Sequence, residues 1–169
     1  TGADITADKE AHEFEERMEK GELLMTTSCC PAYVRAVKLH VPELLPCVSD
    51  TRSPMHYTAE LVKKENPDCI SVFIGPCLAK RKEGQDDEYV DYVLSVEEIG
   101  ALFIAKEIDI AKQVVEECEG CKKPTASGRN FAVTGGVAEA VKVRLKSPEK
   151  LRPAVINGLD KAGIKTLTN

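Results

Sequence analysis

Adjacent cysteines in the segment TTSCCP, residues 26–31, carry the chemistry that most needs an explanation in this chain. Cys29 and Cys30 are poorly placed to bond to each other, because a disulfide across one peptide bond is strained. Cys77 follows a second apolar run and also neighbours a proline. Thiolates select iron–sulfur clusters or zinc, and Cys30 with Cys77 would make half of a four-cysteine cluster site. Unbonded cysteine is also a common small core residue, and position alone weighs the two interpretations about equally.

Three charged residues near the start of the chain have helical spacing. Glu10, Glu13 and Arg17 stand at i, i+3 and i+7, which places them on one face of a helix. Such a face is most often simply solvated. The sharper interpretation is a proton relay, since carboxylates in a chain can pass protons between solvent and a site.

A basic segment follows Cys77. Lys80 lies three residues beyond this cysteine and Glu83 three beyond Lys80, so the three side chains share one edge of a helical turn. An ammonium there could donate hydrogen bonds to an anionic ligand. Without further information a solvated basic stretch is favoured, because Arg81 and Lys82 stand beside it.

Weaker signals come from the other cysteines and from a glycine pair. Cys118 and Cys121 form a single C-x-x-C, for which surface cysteines are slightly favoured over a metal or redox site. Cys47 and Cys69 are interpreted as core residues. The segment TGGVAEA lacks the glycine spacing and the lysine of nucleotide-binding loops, so it predicts close backbone packing at a strand-to-helix turn.

The elements that must position these residues alternate between strand and helix. Apolar periodicity and breaker residues predict helices at 7–19, 30–41, 53–65, 96 to about 105, 137–146 and 159–167. Strands are predicted at 23–27, 69–75, 89–95, 131–136 and 152–158, the one at 69–75 buried on both faces. Ser53 is the predicted N-cap of the third helix, and Ser95 with Glu98 forms a capping box for the fourth.

This alternation predicts an α/β fold with a mostly parallel β-sheet flanked by helices on both faces. Ligands in such folds bind at the carboxyl ends of the strands. Both TTSCCP and IGPC stand at such an end, so the fold predicts that the cysteines of both segments line one crevice.

Composition limits the remaining possibilities. The chain has 169 residues, a net charge of −5 and 5% aromatic residues, with scattered basic positions, which argues against a nucleic-acid surface. No apolar run is long enough to span a bilayer. The sequence begins without an initiator methionine or an apolar signal region, and we expect an excised internal piece of a cytoplasmic protein. Residues 1–169 are predicted to form a single α/β lobe.

Three segments together resemble the iron-only (FeFe) hydrogenase large subunit in its C-terminal H-cluster domain. TSCCPAY resembles that family's first signature, T-S-C-C-P-x-W, and GPCLAKRKE resembles the second, M-P-C-x-x-K-x-x-E. TGGVAEA resembles a further stretch of the family. The resemblance runs from Glu10 to the VING segment near the end.

The resemblance implies roles for individual residues. Cys30 and Cys77 would be two of four ligands of a 4Fe–4S cubane, while Cys29 would carry protons to the two-iron subsite of the same H-cluster. Lys80 would donate a hydrogen bond to a ligand of that subsite. The remaining implied residues are Ser28 and Pro76 in the cofactor cradle, and Glu10, Glu13, Ser49 and Arg17 along the proton path.

The chain also departs from the family pattern. The third signature, with its second cysteine pair, is absent; Gly75 stands in place of methionine and Tyr33 in place of tryptophan. We therefore expect the isolated chain to be inactive and to lack a complete H-cluster. The parent would catalyse 2H⁺ + 2e⁻ ⇌ H₂. The alternatives are a hydrogen-sensing module and an iron–sulfur assembly protein.

The same resemblance implies partners. Protons and H₂ would be the substrate, and a ferredoxin-like domain or protein would carry the electrons. The rest of the same polypeptide would supply the missing cysteine ligands. No nucleic acid and no membrane span is expected.

Overall fold

The computed structural model describes residues 1–114 and 123–167, and it forms the predicted α/β class of fold. In chain order the elements are α1 (Gly2–Glu19), α2 (Pro31–His40), α3 (Pro54–Glu65), β1 (Val72–Gly75), α4 (Ala79–Gln85), β2 (Tyr92–Ser95), α5 (Val96–Ala105), α6 (Ala126–Arg129), α7 (Gly136–Lys142) and α8 (Lys161–Leu167). Short 3-10 helices occupy Pro42–Cys47, Ile110–Lys112 and Pro148–Lys150.

Two compact units divide the chain. The first comprises Thr1–Thr58 and Pro124–Asn169, and the second comprises Ala59–Lys123. The prediction that the whole chain is a single lobe stays a prediction.

The core of the first unit forms where α1 packs against α6 and α7. Small side chains on α1 allow this close approach: Ala7 joins a buried cluster with Cys29, Phe131 and Ala140. A neighbouring cluster consists of Ala11, Val141 and Leu145, with Phe14 and Leu151 at its edge. The buried face of α1 is therefore the face that carries Glu10, which is wholly shielded from solvent.

The glycine pair before α7 serves backbone packing, as the sequence favours. Gly135 has φ +80°, a left-handed conformation that glycine adopts without steric cost. A Cβ on Gly136 would lie 2.0 Å from the carbonyl oxygen of Asn130. The turn thus closes too tightly for any larger residue, and it delivers α7 onto α1.

The second unit contains a two-stranded parallel sheet in which β1 pairs with β2. Ser95 accepts a hydrogen bond from the Glu98 backbone N–H, and Glu98 accepts one from Ser95 N–H, so the predicted capping box begins α5. Helix α4 packs on one sheet face, where Gly84 lies against Val90 and Val93. We find Val72 and Ile74 about half exposed on the strand, so the prediction of a strand buried on both faces is wrong.

Three other predicted strands are not strands in the part of the chain that the structure describes. Leu23 and Leu24 are exposed, and the 23–27 segment contributes only a single bridge between Thr26 and Val48. Residues 131–135 form turns and a bend, with Phe131 packed in the buried cluster beside α1, and Gly136 already begins α7. Residues 152–158 are irregular and mostly exposed, since no neighbouring strand offers hydrogen bonds.

Helix positions agree more closely with the sequence. The six predicted helices are all present, although α1 begins five residues earlier and α7 ends four residues earlier than expected. Ser53 precedes α3 as predicted, yet its buried hydroxyl makes no hydrogen bond, so the predicted side-chain cap is wrong. No described helix combines the length and the apolar composition needed to cross a membrane.

Candidate functional site

Helix α1 places a carboxyl group in the core of the first unit. Glu10 lies one turn beyond Ala7, on the same face, and has no exposed surface. Its Oε1 accepts a hydrogen bond of 3.1 Å from the backbone N–H of Ser28, whereas its Oε2 has no hydrogen-bond partner. The pKa of Glu10 is raised to about 7, chiefly by burial; the hydrogen bond from Ser28 opposes the increase and the nearby Glu13 charge adds to it. Such a carboxyl group exchanges its proton near neutral pH.

Glu13 lies one turn further along α1 and is held in the ionised state. Burial alone would raise its pKa, but hydrogen bonds from Ser49, Asp50, Thr51 and Arg17 lower it below the ordinary value. Oε2 accepts from the hydroxyls of Ser49 at 2.5 Å and Thr51 at 2.9 Å. The two neighbouring carboxyl groups thus have pKa values shifted in opposite directions, an arrangement suited to proton transfer.

Arg17 connects Glu13 to the surface. Its Nη2 lies 2.8 Å from Glu13 Oε1 and also donates to the Val48 carbonyl, while Nη1 donates to the Pro46 carbonyl and to the Glu22 carboxylate. Glu13 and Arg17 both line an open depression of about 740 Å³. This end of the charged series therefore meets solvent.

A loop segment links the two carboxyl groups. Ser28 donates its hydroxyl proton to the backbone carbonyl of Thr51, and Thr51 in turn donates to Glu13. The backbone N–H of Thr51 binds Ser49 Oγ at 3.0 Å. Sequence reasoning identified Ser28 and Ser49 but missed Thr51. The only sequence signal for it is its position two residues after Ser49.

The two adjacent cysteines have different surroundings. Cys29 is 9% exposed and packs beside Ala7 and Phe131, and it follows Ser28, whose backbone N–H binds Glu10. Cys30 is exposed and stands at the N-cap position of α2 in an extended conformation, followed by Pro31 at the first helical position. Of the two adjacent cysteines, Cys29 is thus buried and Cys30 is exposed.

In the second unit, Cys77 follows β1 directly, at the carboxyl end of the strand. The Cys77 carbonyl accepts a hydrogen bond from Lys80 N–H at 3.1 Å, and Cys77 is half-buried. Lys80 Nζ lies 2.7 Å from Glu83 Oε2, with both side chains largely shielded. Pro76 is exposed at the turn. Cys77 thus stands just before α4, and Lys80 and Glu83 are paired within that helix.

The structure brings the predicted residues together as two local groups, one in each unit. The first group contains Glu10, Glu13, Arg17, Ser28, Cys29, Cys30 and Ser49, and the second contains Pro76, Cys77 and Lys80. Among the described residues, no three His, Cys, Asp or Glu side chains cluster as a metal site would require. No described cysteine forms a disulfide. Cys47 and Cys69 are half-buried, and Cys118 and Cys121 lie outside the described residues.

Comparison with known proteins identifies the family of this chain. Residues 1–167 match the family described as iron only hydrogenase large subunit, C-terminal domain. The chain belongs to this family. It is 32% identical, over 191 aligned residues, to the periplasmic Fe hydrogenase large subunit of Nitratidesulfovibrio vulgaris, covering 98% of this chain and 45% of that protein.

Two further relatives broaden the comparison. A cytosolic Fe–S cluster assembly factor of Kluyveromyces lactis is 30% identical over 121 residues, which are 70% of this chain and 26% of that protein. The solved structure of a variant of the FeFe-hydrogenase HydA1 from Chlamydomonas reinhardtii superposes with a TM-score of 0.67 at 26% identity, covering 94% of this chain and 46% of that one. This iron-only hydrogenase domain thus spans less than half of each relative.

Proposed function

We propose that this chain is one lobe of the H-cluster domain of an iron-only hydrogenase that interconverts protons, electrons and H₂. The observation that carries the proposal is the buried Glu10, which binds the Ser28 backbone immediately before Cys29. The contacts of Ser28 and Thr51 hold Glu10 and Glu13 in one hydrogen-bonded network, in which the backbone groups position the carboxyl groups and do not carry protons. Glu13 meets Arg17 at an open depression. A route for protons from solvent to one thiol is what this reaction requires.

The donor set supports part of the cofactor. Cys30 offers an exposed thiol, and Cys77 offers a half-buried thiol at the end of β1. Soft thiolates suit an iron–sulfur cubane, so these residues fit two of its four ligand positions. The other two would come from elsewhere in the parent polypeptide. When bound, the H-cluster would supply the redox chemistry.

The chain's own residues would hold and move the protons. Glu10 would take up and release a proton near neutral pH and exchange it with the neighbouring Cys29 thiol. Glu13 would receive protons through Ser49, and Arg17 would keep that carboxylate ionised and in place.

A second set of residues would orient the cofactor. Glu83 fixes the Lys80 ammonium, which would donate a hydrogen bond to an anionic ligand of the two-iron subsite. Ser28 and Pro76 would complete the cradle. Electrons would come from a ferredoxin-like domain or protein, and we propose a cytoplasmic location.

The split roles of the two cysteines make the proposal testable in the matured full-length parent. We expect Cys29→Ala to abolish hydrogen turnover, a loss of at least about a hundredfold, while the cubane iron is retained. Cys30→Ala should lose the cluster. Iron analysis and hydrogen evolution measured on the same samples check this, and Cys69→Ala is the matched control, because this half-buried cysteine lies in the second unit and outside the route. Equal iron loss from the Cys29 and Cys30 variants would contradict the split.

An iron–sulfur assembly role is the second candidate, favoured by the 30% identity to the assembly factor over 70% of this chain. A cluster carrier needs thiolate ligands but has no use for a buried carboxyl group behind a second cysteine. Hydrogen turnover by the matured parent that falls in Glu10→Gln would reject this candidate. A hydrogen sensor that binds the same cofactor is a further alternative, because Gly75 and Tyr33 depart from the family signatures. Slow turnover with a normal iron content would favour the sensor.

A further inference from the structure

Thr51 joins the hydrogen-bonded groups of the first unit through three separate contacts. Its hydroxyl donates to Glu13 Oε2 at 2.9 Å, its backbone N–H donates to Ser49 Oγ at 3.0 Å, and its carbonyl accepts from the Ser28 hydroxyl. The residue is only 9% exposed. None of the family signatures in this sequence includes it.

The contacts of Glu13 show what the Thr51 hydroxyl does. Oε1 accepts from Arg17 Nε at 2.9 Å and from Asp50 N–H at 3.0 Å, while Oε2 accepts from the hydroxyls of Ser49 and Thr51. The charged groups near this carboxylate include Arg17, Glu10 on the same helix, and the side chains of Asp50 and Glu22, which lie 3.8 Å and 3.2 Å from the Arg17 guanidinium. Without Thr51, Oε2 would keep one hydrogen-bond donor.

The backbone of Thr51 adds a constraint on Ser49. A hydroxyl has one donor and two acceptor positions. Because the Thr51 N–H occupies one acceptor position of Ser49 Oγ, the Ser49 proton points toward Glu13 Oε2, 2.5 Å away.

We infer that Thr51 is a positioning residue of the proton route: its hydroxyl holds Glu13 Oε2 as an ionised acceptor, and its backbone aims the Ser49 proton at that oxygen. The inference rests on the proposed function for its catalytic meaning. Its physical content, the control of Glu13 by Thr51, stands on the contacts alone. A threonine that merely built the loop would change stability but would leave the titration of Glu13 where it is.

The experiment compares three variants of the full-length parent. Thr51→Val removes the hydroxyl and keeps the shape, Thr51→Ser keeps the hydroxyl, and Thr166→Val is the control, because Thr166 is exposed and donates to the Ala162 carbonyl of its own helix. The Glu13 carboxyl is followed by ¹³C NMR with δ-labelled glutamate, assigned by its absence in Glu13→Gln. Turnover is measured against pH after maturation.

We expect the Thr51→Val protein to show the Glu13 titration at higher pH than the parent, because a carboxylate that loses a donor is more easily protonated. The acid limb of its turnover profile should move to higher pH as well, with about tenfold lower turnover at the optimum of the parent. Thr51→Ser should restore both, and Thr166→Val should leave both unchanged.

An unchanged Glu13 titration in folded Thr51→Val would overturn the inference, as would Thr51→Ser shifting Glu13 in the same way as Thr51→Val. Should the valine variant fail to fold, Thr51→Ala against Thr51→Ser applies the same criterion. The proposed function fails separately: retained turnover in Cys29→Ala would reject the proton route, while a Glu13 shift in Thr51→Val would still establish the control of Glu13 by Thr51.

Discussion

Cys29 and Cys30 show how neighbouring residues of one type acquire different chemistry. Successive side chains of an extended segment point to opposite sides. Cys30 is extended at the start of α2, so its thiol faces solvent while Cys29 packs against α1. We propose that Cys30 binds the cluster and that Cys29 carries protons. The difference in burial between the two side chains explains how adjacent cysteines could have these separate roles.

Glu10 gives a prediction about stability and pH. Its pKa in the folded chain is about 7 against 4.5 for an ordinary carboxyl, so the folded state loses stability as pH rises between these values. Glu10→Gln cannot ionise. We therefore expect the free energy of unfolding of Glu10→Gln, relative to that of the unsubstituted chain, to rise by about 3 kcal/mol between pH 4.5 and pH 8. Urea denaturation of both proteins at the two pH values measures this change.

Glu19→Gln is the matched control, since Glu19 lies exposed at the end of the same helix. Its stability relative to the parent should change little over this pH range. If the difference in free energy of unfolding between Glu10→Gln and the unsubstituted chain stays constant from pH 4.5 to pH 8, Glu10 titrates like a solvated carboxyl.

At the scale of elements, two helical glycines provide a contrast in packing. A Cβ on Gly84 in α4 would lie 2.6 Å from Val93 Cγ2, whereas a Cβ on Gly100 in α5 would meet nothing within 4 Å. Valine is stiff about χ1, so crowding of about 1–3 kcal/mol should exceed the roughly 1 kcal/mol by which alanine favours a helix. We expect Gly84→Ala to destabilise the chain and Gly100→Ala to stabilise it by about 0.5–1 kcal/mol.

Chemical denaturation of the two alanine variants side by side checks the sign of each effect. Both variants gain the same helix propensity, because each replaces a helical glycine with alanine. The difference between their free energies of unfolding therefore reports the contact between α4 and β2. Equal stabilisation in both variants would mean that α4 moves off Val93 without cost.

Local signals located the helices better than the strands. Pro31, Pro54 and the capping box of Ser95 and Glu98 define helix starts through contacts a few residues apart, and the structure has helices at each of them. A strand needs a hydrogen-bonded partner from elsewhere in the chain. The segments at 131–136 and 152–158 have strand-like composition but no such partner among the described residues, and the segment at 23–27 has only the single Thr26–Val48 bridge, so composition alone misassigned them.

At the scale of the whole molecule, the two signature cysteines belong to different compact units. Two cysteines are half of the four ligands that a cubane needs. We predict that the 169-residue chain made in air carries no complete H-cluster and no hydrogenase activity. Anaerobic iron and sulfide analysis of the purified chain tests this. A stoichiometric cubane with its two-iron subsite on this chain alone would refute the prediction.

The sequence by itself determined the family, the helices and the order of the chemical groups, because signatures, caps and helical spacing depend on residues close together in the chain. Tertiary structure alone decided that Glu10 is buried while Glu13, one turn away, is held ionised. It also decided that Thr51 bonds to Glu13, 38 residues before it, and that Cys29 is enclosed by Phe131. Burial and long-range hydrogen bonds set these properties, and both depend on which distant segments fold against α1.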